Sequence, residues 1–297
     1  MPYFSDRELG SRPRTSEEIS PAVWEAIWSV VKARIADGSF GQEFPEQCPD
    51  GGVIGTDEPG LRGTLLGHIP DAASFFQYGL TGPVDVPPTL VVLDIIEFCL
   101  ARIALPHQHR YHDYGKHHHL TFDRDAGRAR FREEINTILG RNGIAFELSD
   151  SGDVRRLGPP GLRQTLRAAV FSTGDQSLDT LLEEARRRFL DPDVQEREVA
   201  VEKLWDAYER IKTLEDGNKA RGTRKILDKA ANPTEAPKLR VALENDARAL
   251  TDIGNQLSIR HHETTRELIR ESEQLDYLFG RLFSLVHLML KLSGRGG

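Results

Sequence analysis

The chain has 297 residues, a formal net charge of −7 at pH 7, 38% hydrophobic and 29% charged residues, the balance of an ordinary globular protein long enough for two cores. The acid excess excludes a molecule that binds nucleic acid through its overall field, while leaving room for a local basic patch. Its two cysteines, Cys48 and Cys99, lie far apart, which argues against a disulfide scaffold or a zinc ribbon and favours a reducing compartment.

The polar start, residues 1–14, lacks the apolar core of a signal peptide. The longest apolar run, residues 89–105, is interrupted by Asp94, Glu97 and Arg102, so it is too short and too charged to span a bilayer. A cytoplasmic protein without a membrane partner is expected.

Taken in order, residues 4–7 look irregular. Ser20-Pro21 reads as a helix start, serine as cap and proline in the first turn. Trp24, Ile27, Trp28, Val31 and Ile35 follow at helical spacing, and the helix ends near Gly38. Residues 41–67 are rich in Gly, Pro and Asp and predict a long loop with short helical turns. Short helices are expected around Phe75, Phe76 and Tyr78. Leu90, Leu93, Ile96, Phe98 and Leu100 then predict a largely buried helix, on which Asp94 and Glu97 are neighbours. These two acids are expected on a polar face or bonded to nearby donors rather than as a catalytic pair.

Residues 107–119 hold His107, His109, His112, His117, His118 and His119. Neutral imidazoles suit zinc or copper, but the tract has no HExxH and no cysteine nearby along the chain. A solvated or surface-packed loop is the expectation, with no metal and no cofactor; one or two of these histidines could bind a phosphate or a partner.

A helix is predicted over 129–139, with Phe131, Ile135, Ile138 and Leu139 on one face and Gly143 suited to a left-handed cap. Ile144, Phe146 and Leu148 then alternate at strand period, Ser151-Gly152-Asp153 turns the chain, and residues 154–157 return. Helix, strand, turn and strand make a winged helix in miniature. Arg155 and Arg156 would be its phosphate contacts. Without a clear recognition helix upstream, a small hairpin covering the helix is the simpler expectation.

Beyond residue 162 the pattern is helical. Segments near 166–173, 179–189, 194–214 and 224–230 are followed by two long helices. The first carries Leu239, Leu243, Ala247, Leu250, Ile253 and Leu257; the last, over 272–292, carries Leu275, Leu278, Phe279, Leu282, Leu285, Val286 and Met289. Arg186, Arg187 and Arg188 are expected on a solvated face. Between the long helices stand Arg260, His261, His262 and Glu263, an arginine, two imidazoles and a carboxylate suited to acid–base chemistry on a phosphate ester. Arg260 also continues the apolar stripe, so a buried role paired with Glu263 or Asp252 is the competing expectation.

The expected architecture is therefore mainly α. An N-terminal domain, residues 1–160, is loop-rich and helical with one small β-hairpin near 144–157. A C-terminal domain, residues 161–297, is a helical bundle of about five helices.

Three stretches together resemble abortive-infection, or phage-defence, proteins of the AbiJ type. They are FSDRELGSRP at residues 4–13, FREEINTILGRNGIAFELSDSGDVRRL at 131–157, and LWDAYERIKTLE with LTDIGNQLSIRHHETTRELI in the C-terminal half. The resemblance implies an antiviral defence role, a HEPN-like C-terminal domain, a metal-independent endoribonuclease activity toward RNA, a homodimer, and a phage component as trigger. The HEPN signature is an arginine followed after four to six residues by a histidine. This chain departs from it at Arg260, whose histidines follow at once. The spacing occurs instead at Arg281 and His287, about 120° apart on an ideal helix. Two alternatives stay open: a non-catalytic helical sensor or interaction protein, and a nucleic-acid-binding regulator that uses the hairpin.

Overall fold

A computed structural model of the chain describes residues 3–295 apart from 11, 81, 83, 84, 257–268 and 270. Over these residues the fold is mainly α, with three small antiparallel strand pairs among them. The chain divides into two compact units, Met1–Leu157 and Gly158–Gly297.

The first unit opens with α1 (Phe4–Leu9) where an irregular start was expected. Its turn is fixed by side chains: Asp6 accepts from the Tyr3 backbone at 3.1 Å and from Arg141 at 2.5 Å. Helix α2 (Pro21–Ala36) starts with Ser20 at the cap and Pro21 in the first turn. It buries Trp24, Ile27, Trp28, Val31 and Ile35, each worth about 1.5–3 kcal/mol of apolar burial. Trp28 stacks on Trp24 at 5.2 Å, leans on Phe76 at 4.7 Å and donates its indole N–H to the Leu80 carbonyl.

Residues 41–67 hold more regular structure than a loop. They form β1 (Pro45–Gln47), β2 (Val53–Thr56) and α3 (Glu58–His68). Strands of three and four residues are too short for alternation to announce them. After a short 3-10 turn at Pro70–Ala72, α4 (Thr89–Arg102) supplies the unit's most buried helix.

The histidine tract is not a loop either. It makes the facing ends of β3 (Leu105–His112) and β4 (His117–Asp123), with His112 opposite His117 and Tyr111 opposite His118. Helix α5 (Arg124–Arg141) is capped by Asp123, whose carboxylate accepts from the Ala126 backbone at 3.0 Å. It ends in a left-handed turn at Gly143, φ +72°, where Gly143 N–H bonds Gly140 O and Ile144 N–H bonds Leu139 O at 2.9 Å, the paired bonds of a Schellman cap. Strands β5 (Phe146–Leu148) and β6 (Val154–Arg156) then form the expected small hairpin. It lies on α4 and α5, whose Ile96, Leu100, Phe131, Ile135 and Leu139 share its core.

The second unit is helical throughout: α6 (Pro160–Ala168), α7 (Gln176–Phe189), α8 (Val194–Ile211), α9 (Lys219–Ala230), α10 (Pro237–Gln256) and α11 (Ser272–Leu292). Asp175, Asp193 and Asn218 cap α7, α8 and α9. Phe189 of α7 stacks on Phe279 of α11 at 3.8 Å, and α8 pins α10 through Trp205 Nε1–H to Leu250 O and Tyr208 Oη–H to Ala247 O. The apolar stripe expected on α10 holds at Ala247 and Leu250 but not at Leu239, which is half exposed. Arg240 takes the inward position there, its guanidinium bonded to Asp228 and Glu244, so its stem does the covering.

Candidate functional site

Arg260, His261, His262 and Glu263 lie outside the described residues. The helices that flank them are described. Gly254, near the end of α10, is pressed against Trp205; a Cβ there would stand 2.2 Å from the indole nitrogen. At the start of α11, Ser272 accepts a bond from the wholly buried Arg197 of α8. Both flanking ends are therefore anchored on α8.

Arg281 and His287, which carry the arginine-to-histidine spacing, are both on α11. Arg281 is bound through Nε and Nη2 to Asp246 Oδ1, at 3.1 and 2.6 Å, and that bond raises its pKa. His287 lies against Phe283, and burial followed by Lys291 lowers its pKa. Of the arginine run in α7, Arg186 donates to the Leu166 and Ala169 carbonyls and Arg188 to Glu184 and Glu196, leaving Arg187 exposed.

The hairpin separates Arg155 from Arg156. Arg155 points outward opposite Glu147, more than half exposed. Arg156 pairs with Phe146 on the buried face, is 4% exposed and donates Nε–H to Glu17 at 2.6 Å. Its guanidinium is bonded inside the unit, whereas that of Arg155 faces outward. Beside the hairpin, a cleft of about 460 Å³ is lined by His68, Asp94, Glu97, Arg102, Arg128 and the 151–153 turn. Glu97 accepts from the Val154 backbone, as expected of a bonded acid. Asp94 has its pKa raised by partial burial in the cleft and then by Asp71.

The densest chemistry among the described residues is one that sequence reasoning set aside. Cys48, His112, His117 and His119 present one ligand atom each, all within 4.8 Å of one another. No cysteine is near the histidines along the chain, but the fold brings one. Cys48 sits in the β1–β2 connection, where Gly51 N–H bonds its carbonyl at 2.8 Å and its own N–H bonds Gly52 O at 2.9 Å. Pro49 in the second position sets that turn. Strands β2 and β4 pack together, which carries Cys48 Sγ to 3.1 Å from His119 Nε2. Strand alternation puts His117 and His119 on one face, and the register puts His112 beside them. The three imidazole centroids are 5.1, 5.6 and 5.7 Å apart. His118 points the other way, onto Tyr111 at 4.8 Å, and His107 and His109 are exposed.

The profile of the family described as AbiJ N-terminal domain 4 matches residues 2–172. The chain belongs to the AbiJ family. The AbiJ domain spans the whole first unit and continues through α6, so the helix–hairpin segment, the cleft and the Cys/His cluster all lie inside it. Abortive-infection-type defence is the role that goes with this domain. No curated protein and no solved structure matches the chain. No helix among the described residues is long and apolar enough to cross a membrane.

Proposed function

We propose that the protein acts in abortive infection by cutting RNA, with its HEPN-like helical second unit as the effector. The observation that carries the defence role is the AbiJ N-terminal domain over residues 2–172. The RNA step is supported by the residue types between α10 and α11: Arg260, His261, His262 and Glu263. One histidine takes the proton of the ribose 2′-hydroxyl as its oxygen attacks the adjacent phosphorus, and the other returns a proton to the departing 5′-oxygen. Arg260 stabilises charge on the phosphate, and Glu263 orients an imidazole. The products are a 2′,3′-cyclic phosphate and a 5′-hydroxyl, and no metal ion takes part. A phage component would trigger the reaction, and two copies of the chain would form the working enzyme.

The test is expression of the full chain in phage-challenged bacteria, reading plaque formation and total RNA integrity. Wild type should reduce plaques and degrade RNA after infection, and His261→Ala/His262→Ala should lose both effects while accumulating normally. A double variant that still degrades RNA would refute the assigned catalytic residues. Protection with intact RNA would make the second unit an interaction module instead.

A further inference from the structure

We propose that Cys48, His112, His117 and His119 bind one zinc ion that staples the β1–β2 turn to the β3–β4 hairpin. The arrangement is that of a built metal site in four respects. The ligand atoms converge within 4.8 Å, and a tetrahedral zinc site needs edges of about 3.3–3.6 Å, a contraction that small imidazole rotations supply.

Two ring nitrogens of the cluster have no hydrogen bond of their own. His112 Nδ1 and His117 Nε2 are buried without a hydrogen-bond partner, a costly state in a protein interior. A simple Cys48–His119 hydrogen bond accounts for His119 and leaves the other two unexplained. A cation at the centre accounts for all three imidazoles.

The other ring nitrogens of His112 and His117 are held as those of metal-bound histidines usually are. His112 Nε2–H donates to the Asp50 carboxylate at 2.8 Å, and His117 Nδ1–H donates to the Gly115 carbonyl at 3.0 Å. Such bonds fix the tautomer that leaves the unbonded nitrogen free to coordinate. Asp50 belongs to the same turn as Cys48, so one turn supplies both a ligand and the group that orients another.

The backbone makes room for the rings. A Cβ on Gly52 would lie 2.5 Å from the His119 ring, and one on Gly115 would lie 2.4 Å from His117 and 2.6 Å from His112 Nδ1. Lys116 takes φ +54° to close the hairpin between His112 and His117, an uncommon backbone state for a residue with a side chain.

Four protein ligands leave no open position, so the ion is structural rather than catalytic, and one thiolate with three imidazoles favours zinc. The corner needs such a support. Strand β1 is exposed at all three residues and β3 along most of its length, and two-stranded hairpins with little core are marginal in water. Binding converts the Cys48 thiol to thiolate with release of its proton.

The experiment uses the purified full chain, stripped with chelator and reloaded with zinc or cobalt(II), with metal content read by elemental analysis. One zinc per chain is expected. Cys48→Ser and His119→Ala should lose it, while His107→Ala, His109→Ala and His118→Ala keep it. The cobalt form should show tetrahedral d–d absorption with a thiolate charge-transfer band. If the ligand variants fail to fold, the wild-type cobalt spectrum decides alone. Absence of bound zinc after reloading, full zinc retention in Cys48→Ser, or a cobalt spectrum without the thiolate band would overturn the site.

Discussion

Cys48 Sγ lies 3.1 Å from His119 Nε2 across 71 residues of chain, and it is the fold, not the local sequence, that joins them. The contact exists because Gly52 has no side chain to hold the His119 ring away. Gly52→Ala should therefore destabilise the first unit by about 1–3 kcal/mol, as overpacking of a close contact does. Chemical denaturation checks this. Gly63→Ala, on α3 with open space around its Cβ position, is the control that should lose nothing.

The hairpin arginines should behave differently from each other. Arg156→Ala leaves Glu17 without its buried partner and should cost about 1–3 kcal/mol. Arg155→Ala, at an exposed position, should change stability by less than about 0.5 kcal/mol. If Arg155 touches phosphate, its removal weakens RNA binding in low salt without moving the melting temperature.

Tyr208 should remain a hydrogen-bond donor at all physiological pH values, because burial pushes its phenol up to about 12. Tyr208→Phe removes its bond to Ala247 O and should cost about 1 kcal/mol. Phe279→Ala, which empties the stack on Phe189, should cost about 3–5 kcal/mol. Denaturation curves of the full chain distinguish the two magnitudes.

Two acids should respond to pH with opposite sign. Asp216 is lowered from 3.8 to about 2 by the Asn218 backbone N–H and then by Lys225. Its contribution is present above 3.8 and is lost as pH falls through about 2, so the deficit of Asp216→Asn should close over that window. Asp94 is raised from 3.8 by partial burial and Asp71. Its favourable protonation is lost as pH rises, so Asp94→Asn should melt higher than wild type at neutral pH and converge with it below 3.8. Melting temperatures across pH check both.

The long amphipathic elements were legible because their periodicity is their cause. The Trp24–Ile35 face, the Phe131–Leu139 face with its Gly143 cap, and the α11 stripe all form where spacing placed them. Strands β1 to β4 were not, since β1 and β2 have only three and four residues, and β3 and β4 are rich in polar residues and held by cross-strand pairing. Arg156 could have been placed from parity, because it shares a face with Val154. The Cys/His cluster was half visible: His117 and His119 have strand spacing, and Cys48-Pro49-Asp50-Gly51-Gly52 is a tight-turn sequence. What joins them is the packing of β2 on β4, and no local pattern encodes that.

The most direct measurement is cleavage of a defined RNA by the zinc-loaded chain purified from phage-infected cells, without added magnesium, with the product ends identified. The products should end in 2′,3′-cyclic phosphate and 5′-hydroxyl, and cleavage should be abolished in His261→Ala/His262→Ala and unaffected by His287→Ala. Cleavage that requires added magnesium, or that survives the His261→Ala/His262→Ala change, would contradict the proposed mechanism.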